Sequence, residues 1–584
     1  MPDSAVISVG RRLRVLPNVW DIVALCLVVG TLTSITFGAR QLNAPLETVQ
    51  VANISLDPAM LPQYALRTTL RMMAALVASL IFTFIYATAA AKSRQAERVL
   101  IPILDILQSV PVLGFLSFTV TAFMALFPGS VLGAECAAVF AIFTAQAWNM
   151  AFSLYQSLRN VPRDLDEASR AFGQTTWQRF WRLEVPFAMP GLVWNMMMSM
   201  SGSWFFIVAS EAISVGKTTI TLPGIGSYVA LAIGQRNLPA IGYAILAMLV
   251  VIMAYDQLLF RPLVAWSRRF KSEQGDDLGD DDPWVLLLLR RGRLVAYAVR
   301  PFIAMVNSVT LARLEPLSGS LTLPSRVSGE GVRTAGRYVG VTVWWGCVAI
   351  ATGFGFYALY KEMAGSIGTG DILLSIRYGF YTLARVVVLI ILASVFWVPL
   401  GIWIGLHPKL SRALQPVTQF LAAFPANLLF PVVVVGILHF HLNPNVWLSP
   451  LMILGAQWYI LFNVIAGASA FPGDLKEAAA SFRVRGVNWW RKVMLPGVFT
   501  YFLTGAITAS GGCWNASMVA ELVSWGDTRL EAQGLGSYIA RATLAGDYPR
   551  IVLGITVMAI FVTLFNRILW RPLSNYAERR LRLT

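Results

Sequence analysis

Pro162-Arg163-Asp164-Leu165-Asp166-Glu167-Ala168-Ser169-Arg170-Ala171-Phe172-Gly173 and, 310 residues later, Pro472-Gly473-Asp474-Leu475-Lys476-Glu477-Ala478-Ala479-Ala480-Ser481-Phe482-Arg483 read as one segment written twice. Pro162/Pro472, Asp164/Asp474, Leu165/Leu475, Glu167/Glu477, Ala168/Ala478 and Phe172/Phe482 keep that difference. So do Pro186/Pro496, Trp204/Trp514 and Glu211/Glu521 further on. Gly224-Ile225-Gly226-Ser227-Tyr228 answers to Gly534-Leu535-Gly536-Ser537-Tyr538 in the same register, and Arg261-Pro262-Leu263 to Arg571-Pro572-Leu573. A register held over a hundred residues means an internal duplication.

The surroundings of the two segments say what was duplicated. Of 584 residues 57% are hydrophobic and only 13% charged, with mean hydropathy +0.63; one soluble core cannot bury so much apolar side chain. A window of about 19 residues finds apolar runs near 20–38, 68–91, 100–127, 133–157, 188–214 and 240–262, and again near 335–360, 380–406, 411–438, 446–470, 497–524 and 550–570. The expected fold is therefore all-α and membrane-embedded, about twelve transmembrane helices in two six-helix repeats. The first repeat covers 1–264 with its repeated loop at 159–186. A polar linker occupies 265–334, and the second repeat covers 335–584 with its loop at 469–496. An even number of spans returns the second repeat to the membrane in the same sense, which makes the repeats parallel.

Net charge is +16, yet nucleic-acid binding is excluded, because the basic residues sit in short loops between apolar runs and not on a soluble face. The stretches at Arg11–Arg14, Lys92–Arg98, Arg159–Arg182, Arg268–Lys271, Arg483–Lys492 and Arg579–Arg582 fall on one side if the spans alternate, which places both termini in the cytoplasm. The N-terminal run has no small-residue cleavage site and reads as an uncleaved first helix. Cys26, Cys136, Cys347 and Cys513 are scattered through apolar stretches with no metal or redox spacing. The linker holds basic Arg268-Arg269-Phe270-Lys271, acidic Asp276 to Asp282, and an apolar piece, Trp284 to Leu289, too short to span and suited to an interfacial helix.

In each repeated loop a Pro precedes an Asp, and a Glu stands three residues after that Asp. This predicts a capping box with carboxylates at the positive end of a short helix. The small residues that follow suit a helix seated closely in a groove of another protein. The interval from Glu167 to Pro186 equals that from Glu477 to Pro496, which argues against an incidental loop helix.

The pattern resembles the EAA motif of ABC importer permeases, in two copies covering both halves outside the linker. Gln108-Ser109-Val110-Pro111-Val112-Leu113, Ala509-Ser510-Gly511-Gly512-Cys513-Trp514-Asn515 and Ala520-Glu521 resemble the branch that handles nitrate, sulfonate, taurine and bicarbonate. The resemblance implies a type I importer permease fold in a bacterial inner membrane. It also implies coupling helices built on Asp164, Glu167, Ala168, Gly173 and Pro186, and on Asp474, Glu477, Ala478, Ala479 and Pro496. Two copies of a cytoplasmic ATPase would dock there, with a periplasmic or lipid-anchored substrate-binding protein opposite. The chain has no GxxxxGK[ST] loop, so ATP and Mg would belong to the partner and no cofactor to this chain. Ser169 replaces the second Ala of the motif, and Arg483 stands where Gly173 does, so the second helix is expected to run straighter past its end.

Ionisable residues inside spans carry a functional hypothesis. Glu211 and Glu521 lie near the outer end of the fifth span of each half, and Arg71 and Arg385 near that of the second. Either the pairs form a buried brace, the reading preferred here, or the arginines face the path and attract an anion. Trp204, Trp514 and Asn515 are candidates for lining that path, or for packing between helices. Pro111 and Pro425 are expected to break or kink the third spans. His439 and His441 have no nearby carboxylate or Cys and make a poor metal site. An ion-coupled secondary transporter of twelve spans is the competing class, though it needs no repeated docking loop. No nucleophile and base suggest an intramembrane enzyme.

Overall fold

The computed structural model describes residues 54–109, 112–215, 218–270, 283–291 and 366–580, with isolated positions between 301 and 357. The expected first span, Cys26, Pro111, much of the linker, the run at 335–360 and Cys347 lie outside the described residues, apart from those isolated positions. Among the described residues eight helices are long and apolar enough to cross a membrane. They are Pro58–Lys92, Val131–Arg159, Thr176–Ser210 and Leu238–Ser267 in the first half, and Thr369–Gly405, Pro444–Ser469, Val487–Ala520 and Tyr548–Ala577 in the second.

Sequence spacing sets how these helices meet. In Leu61–Lys92 the buried positions Met72, Ala75, Leu76, Ser79, Thr83, Ala87 and Ala90 recur at helical intervals, which makes one stripe. It packs on Val131–Arg159, where Ala134, Ala137, Ala138 and Ala141 are buried and let the backbones approach closely. Val77, Ile81 and Ile85 point outward, where hydrocarbon would cover them.

The third span of the second half is not one helix, whereas that of the first half is described on either side of residues 110 and 111. The first is Arg94–Ser109 and then Val112–Leu126. In the second, Pro408–Ala423 ends at Phe424, whose backbone is extended. Pro425 then precedes a tight turn, Ala426–Leu429, and the helix Phe430–His439. The two arms meet at 79°, because proline donates no N–H and restricts the residue before it.

Two features differ from the expectation. The fifth spans stop at Ser210 and Ala520, short of the expected 214 and 524, and the chain then forms antiparallel hairpins. Ala212–Val215 pairs with Thr218–Thr221, and Leu522–Trp525 with Thr528–Glu531. Among the described residues four wide π turns also interrupt the helices, at Phe180–Glu184, Asp256–Phe260, Trp490–Met494 and Asn566–Trp570. Each is followed by one residue and then a proline: Pro186, Pro262, Pro496 and Pro572. A proline that cannot donate to the carbonyl four residues back shifts the ladder by one, and the extra residue is absorbed as a π turn. Accordingly Val185 N–H donates to Phe180 O and Arg261 N–H to Asp256 O.

The chain forms two compact units. One comprises the described residues of 160–193 and 254–322, the other those of 41–159, 194–253 and 323–584. The first holds the repeated loop of the first half, and a helix Trp284–Arg291, with Val285 and Leu286 buried, that packs on Arg261–Ser267. The second holds the second loop and six of the described spans, while Thr176–Ser210 and Leu238–Ser267 are each divided between the two units.

Candidate functional site

The repeated loops fold alike. Arg163–Ala171 and Gly473–Ser481 are nine-residue helices that start after Pro162 and Pro472. Asp164, Glu167 and Ala168 are exposed in one, and Asp474, Glu477 and Ala478 in the other. Ser169 and Ala479 are the buried positions, each turned toward its own chain. The small residue there is needed for packing inward, and the Ser169 hydroxyl is satisfied by Gln174 Oε1 at 3.0 Å. Phe172 and Phe482 close the helices at 81% and 83% exposure, an unusual position for a large apolar ring.

The expected capping boxes are absent. No side chain caps either helix, because the N-cap residues are Pro162 and Pro472, which have no side-chain acceptor. Asp164 and Asp474 still lie in the first turn, at the positive end of the helix. The expectation of a straighter second helix is overturned as well. Arg483 adopts φ +52°, beside +68° at Gly173, and the closing hydrogen bonds match pair for pair. Gly173 N–H donates to Arg170 O (2.9 Å) and Arg483 N–H to Ala480 O (3.0 Å). The turn is set by that closing bond pattern, and Arg483 bears the strain of a conformation suited to glycine.

What distinguishes the loops is charge. Asp166 sits 2.8 Å from Arg170 and 3.2 Å from Arg179, and Arg179 is 3.6 Å from Glu184. In the second copy these positions are Lys476, Ala480, Trp489 and Met494. Lys476 instead lies over the Phe471 ring. Pro186 and Pro496 stand two residues past the π turns that follow the loops.

At the other end of the fifth spans each glutamate is enclosed by donors. Glu211 Oε1 accepts from Thr68 Oγ1 and Arg71 Nη1, both at 2.7 Å, and Oε2 from Gly226 N–H at 2.7 Å. Glu521 Oε1 accepts from Thr382 Oγ1 and Arg385 Nη1 at 2.8 Å, and Oε2 from Gly536 and Ser537 N–H at 2.8 and 3.2 Å. Each carboxylate thus occupies the N-terminus of a short helix, Ile225–Gly234 or Leu535–Ala545. Glycine is required there: a Cβ at Gly226 would lie 2.2 Å from Val208 O, and one at Gly536 2.3 Å from Ser517 O.

The halves differ around the arginines. Arg71 is also held by Glu135, through Nε at 2.5 Å and Nη2 at 2.7 Å, and donates to Pro223 O at 3.0 Å. Asn445 occupies the position of Glu135, and Arg385 reaches only its backbone oxygen, at 3.4 Å. Glu135 was not anticipated from the sequence; a carboxylate four residues into an apolar run was the available signal.

Contacts also cross between halves. Val112 N–H, at the start of the helix Val112–Leu126, donates to Asn515 Oδ1 (2.8 Å). In the other direction Asn427 Nδ2 donates to Phe205 O (3.1 Å). The second hairpin docks on the first half's short helix, with Gly526 N–H donating to Ile233 O (3.0 Å) and Asp527 lying 3.6 Å from Arg236.

Where the fifth spans and the break at Pro425 converge is a small half-open cavity of about 90 Å³. Its walls come from Ser201, Gly202, Phe205 and Phe206, from Phe424 and Ala426 beside Pro425, from Gly455, Ala456 and Tyr459, and from Gly512, Asn515 and Ala516. Asn515 lines it. Trp204 and Trp514 do not, being 2% and 1% exposed among helices; rings of that size fill interhelical volume. Arg71, Arg385, Glu211 and Glu521 do not line it either.

The profile of binding-protein-dependent transport system inner membrane components matches the chain twice, at 79–259 and 397–582. The chain is also similar to a nitrate import permease protein of Leptolyngbya laminosa, 27% identical over 185 residues, covering 32% of this chain and 63% of that protein. A bicarbonate transport system permease protein of Synechococcus elongatus is 28% identical over 176 residues, covering 30% and 60%. A glycine betaine/carnitine transport permease protein of Listeria monocytogenes is 28% identical over 188, covering 31% and 58%. The match therefore spans about three fifths of the length of these relatives. With the family profile matched once in each half, around loops and braces of the same build, the chain belongs to the binding-protein-dependent transport system inner membrane components, in a fused, duplicated form.

Proposed function

We propose that the chain is the membrane-spanning permease subunit of an ATP-driven importer, working by alternating access on a small anion. The observation that carries this is the pair of nine-residue helices with matching exposure and closing geometry, each ending in a phenylalanine more than four fifths exposed. Rings left uncovered by the described residues suit the groove of a soluble subunit.

In this reading two cytoplasmic ATPase copies carry ATP and Mg and dock on the two helices. A periplasmic or lipid-anchored binding protein delivers solute to the opposite face. The chain lies in a bacterial inner membrane with both termini cytoplasmic, which is the sense of its basic loops. The anion assignment draws on the nitrate and bicarbonate relatives. Ion-coupled secondary transport is less well supported, since the buried carboxylates Glu211 and Glu521 are saturated by arginine and backbone donors.

Co-expression with a candidate ATPase tests the proposal. A complex that hydrolyses ATP, and that Glu167→Ala with Glu477→Ala disrupts, is the expected result. Solute uptake by the chain alone, without ATP, would refute it.

A further inference from the structure

We infer that the second repeated loop carries a basic docking surface, absent from the first, that fits an acidic groove on the ATPase partner, so that the two docking contacts differ in strength and in their response to salt. The inference deepens the importer reading above and rests on it. Between 163 and 186 the first loop has four basic and four acidic residues, whereas between 473 and 496 the second has five basic against two acidic. Shape does not separate them, since the helices have the same length and close through the same bonds. In the first loop Asp166, Arg170, Arg179 and Glu184 are engaged with one another.

The second loop puts cations where the first has none. Arg483, Arg485 and Arg491 stand at the positions of Gly173, Thr175 and Trp181. All three are exposed, and none has a carboxylate partner among the described residues. Arg483 and Arg485 lie in the chain between Phe482 and Val487, which are 83% and 73% exposed, so apolar anchors and free charge share one stretch. Arg483 is the sharper sign. It holds φ +52° where the first loop has glycine at +68°, a conformation that strains a residue with a Cβ, and strained backbone clusters where a side chain is used. The general excess of positive charge on cytoplasmic loops does not account for the difference, because the same rule puts the first loop on the same side and that loop is neutral. Guanidinium groups at the rim of an interface attract carboxylates, speed encounter and lose much of that pull when salt screens them.

The test uses the full chain in nanodiscs of zwitterionic lipid, with capture of its ATPase measured at about 50 and about 500 mM KCl, a change that shortens the reach of charge about threefold. Glu167→Ala leaves the second loop as the intact dock, and Glu477→Ala leaves the first. Salt is expected to weaken capture roughly tenfold in Glu167→Ala, the scale of three exposed ion pairs, and less than about twofold in Glu477→Ala. Adding Arg483→Gly, Arg485→Glu and Arg491→Glu to Glu167→Ala should weaken capture at low salt and leave it unchanged at high salt, which a misfolded loop would not do. The inference is overturned if the two single variants respond equally to salt, if the charge variant keeps the salt dependence, or if the difference appears only when anionic lipid is added, which would make the patch a membrane surface. Failure of the importer reading would show separately, as an unaltered chain that captures no ATPase at either salt concentration.

Discussion

Removing one glutamate should damage the second half more than removing its counterpart damages the first. Glu521→Ala takes away the acceptor for Thr382, Arg385, Gly536 and Ser537 at once. Arg385 would keep only the Asn445 carbonyl, at 3.4 Å. Its side chain is 14% exposed and that of Glu521 2%, so solvent screens little of the loss. Breaking such a pair by deleting one partner costs about 3–5 kcal/mol, and the orphaned backbone donors place this site toward the upper end. In Glu211→Ala the Arg71 guanidinium keeps both Glu135 contacts and Pro223 O, and what is orphaned is Thr68 and Gly226. A loss of about 2–3 kcal/mol is expected there. Thermal unfolding of the purified chain in detergent, followed by size-exclusion fluorescence, ranks the two variants. Equal losses, or a larger one for Glu211→Ala, would refute the reasoning. Exchanging the charges, Arg71→Glu with Glu211→Arg, should not restore stability. An arginine at 211 cannot accept from Gly226 N–H or Thr68, so failed rescue does not argue against an ion pair.

Arg483→Gly should raise stability by about 1 kcal/mol, the strain of a non-glycine residue in the left-handed region, with no change in the exposed face of the helix; an unchanged or lowered unfolding temperature would count against this. Gly226→Ala and Gly536→Ala should each cost about 2–3 kcal/mol, because the new methyl meets a backbone carbonyl that cannot rotate away, and wild-type melting of either would contradict the local geometry. Phe172→Ala and Phe482→Ala should leave the unfolding temperature within about 1 °C, since surface changes cost little, while weakening capture of the ATPase by roughly tenfold each, the loss of one exposed aromatic anchor. Loss of stability without loss of capture would place the rings in folding and not in docking.

The repeat, most span positions and the location of the loops are legible in the sequence because each rests on a long pattern: a register of 310 residues, or some twenty apolar residues in a row. The hairpins are not. Leu522–Trp525 and Thr528–Glu531 are four-residue strands attached to a 26-residue apolar helix, and a short apolar run does not separate strand from helix. The cluster of β-branched residues at Thr218–Thr221 was the available signal. The wide turns were legible in principle, since Pro186, Pro262, Pro496 and Pro572 mark all four. The arginine–glutamate pairs were anticipated by depth alone, and the reason depth sufficed is geometric. Thr68/Thr382 and Arg71/Arg385 are offset by 314 residues while Glu211/Glu521 are offset by 310. Pro111/Pro425 share the offset of 314 and Trp148/Trp458 that of 310, so the difference of four residues falls between the third and fourth spans and leaves the face of the second span unchanged.

At the loops and around the arginines the halves differ in charge, and that bears on how motion would pass through the chain. Gly173 became Arg483, Asp166 became Lys476 and Glu135 became Asn445, yet the closing bonds of the loop helices and the donors around each glutamate are preserved. In the second half the loop leads through the turn at Trp490–Met494 into Leu495–Ala520, a rod of about 39 Å at 1.5 Å per residue. The far end of that rod is held by Glu521 to Thr382, Arg385 and the helix beginning at Leu535. In the proposed importer a displacement imposed on the loop would be delivered to the far end as a rigid movement, for the rod has its wide turn at the loop end and a buried ion pair at the other. Such a device depends on shape and on a pinned end. Charges around the loop can drift without disabling it, whereas loss of the pin would let the rod move without its neighbours.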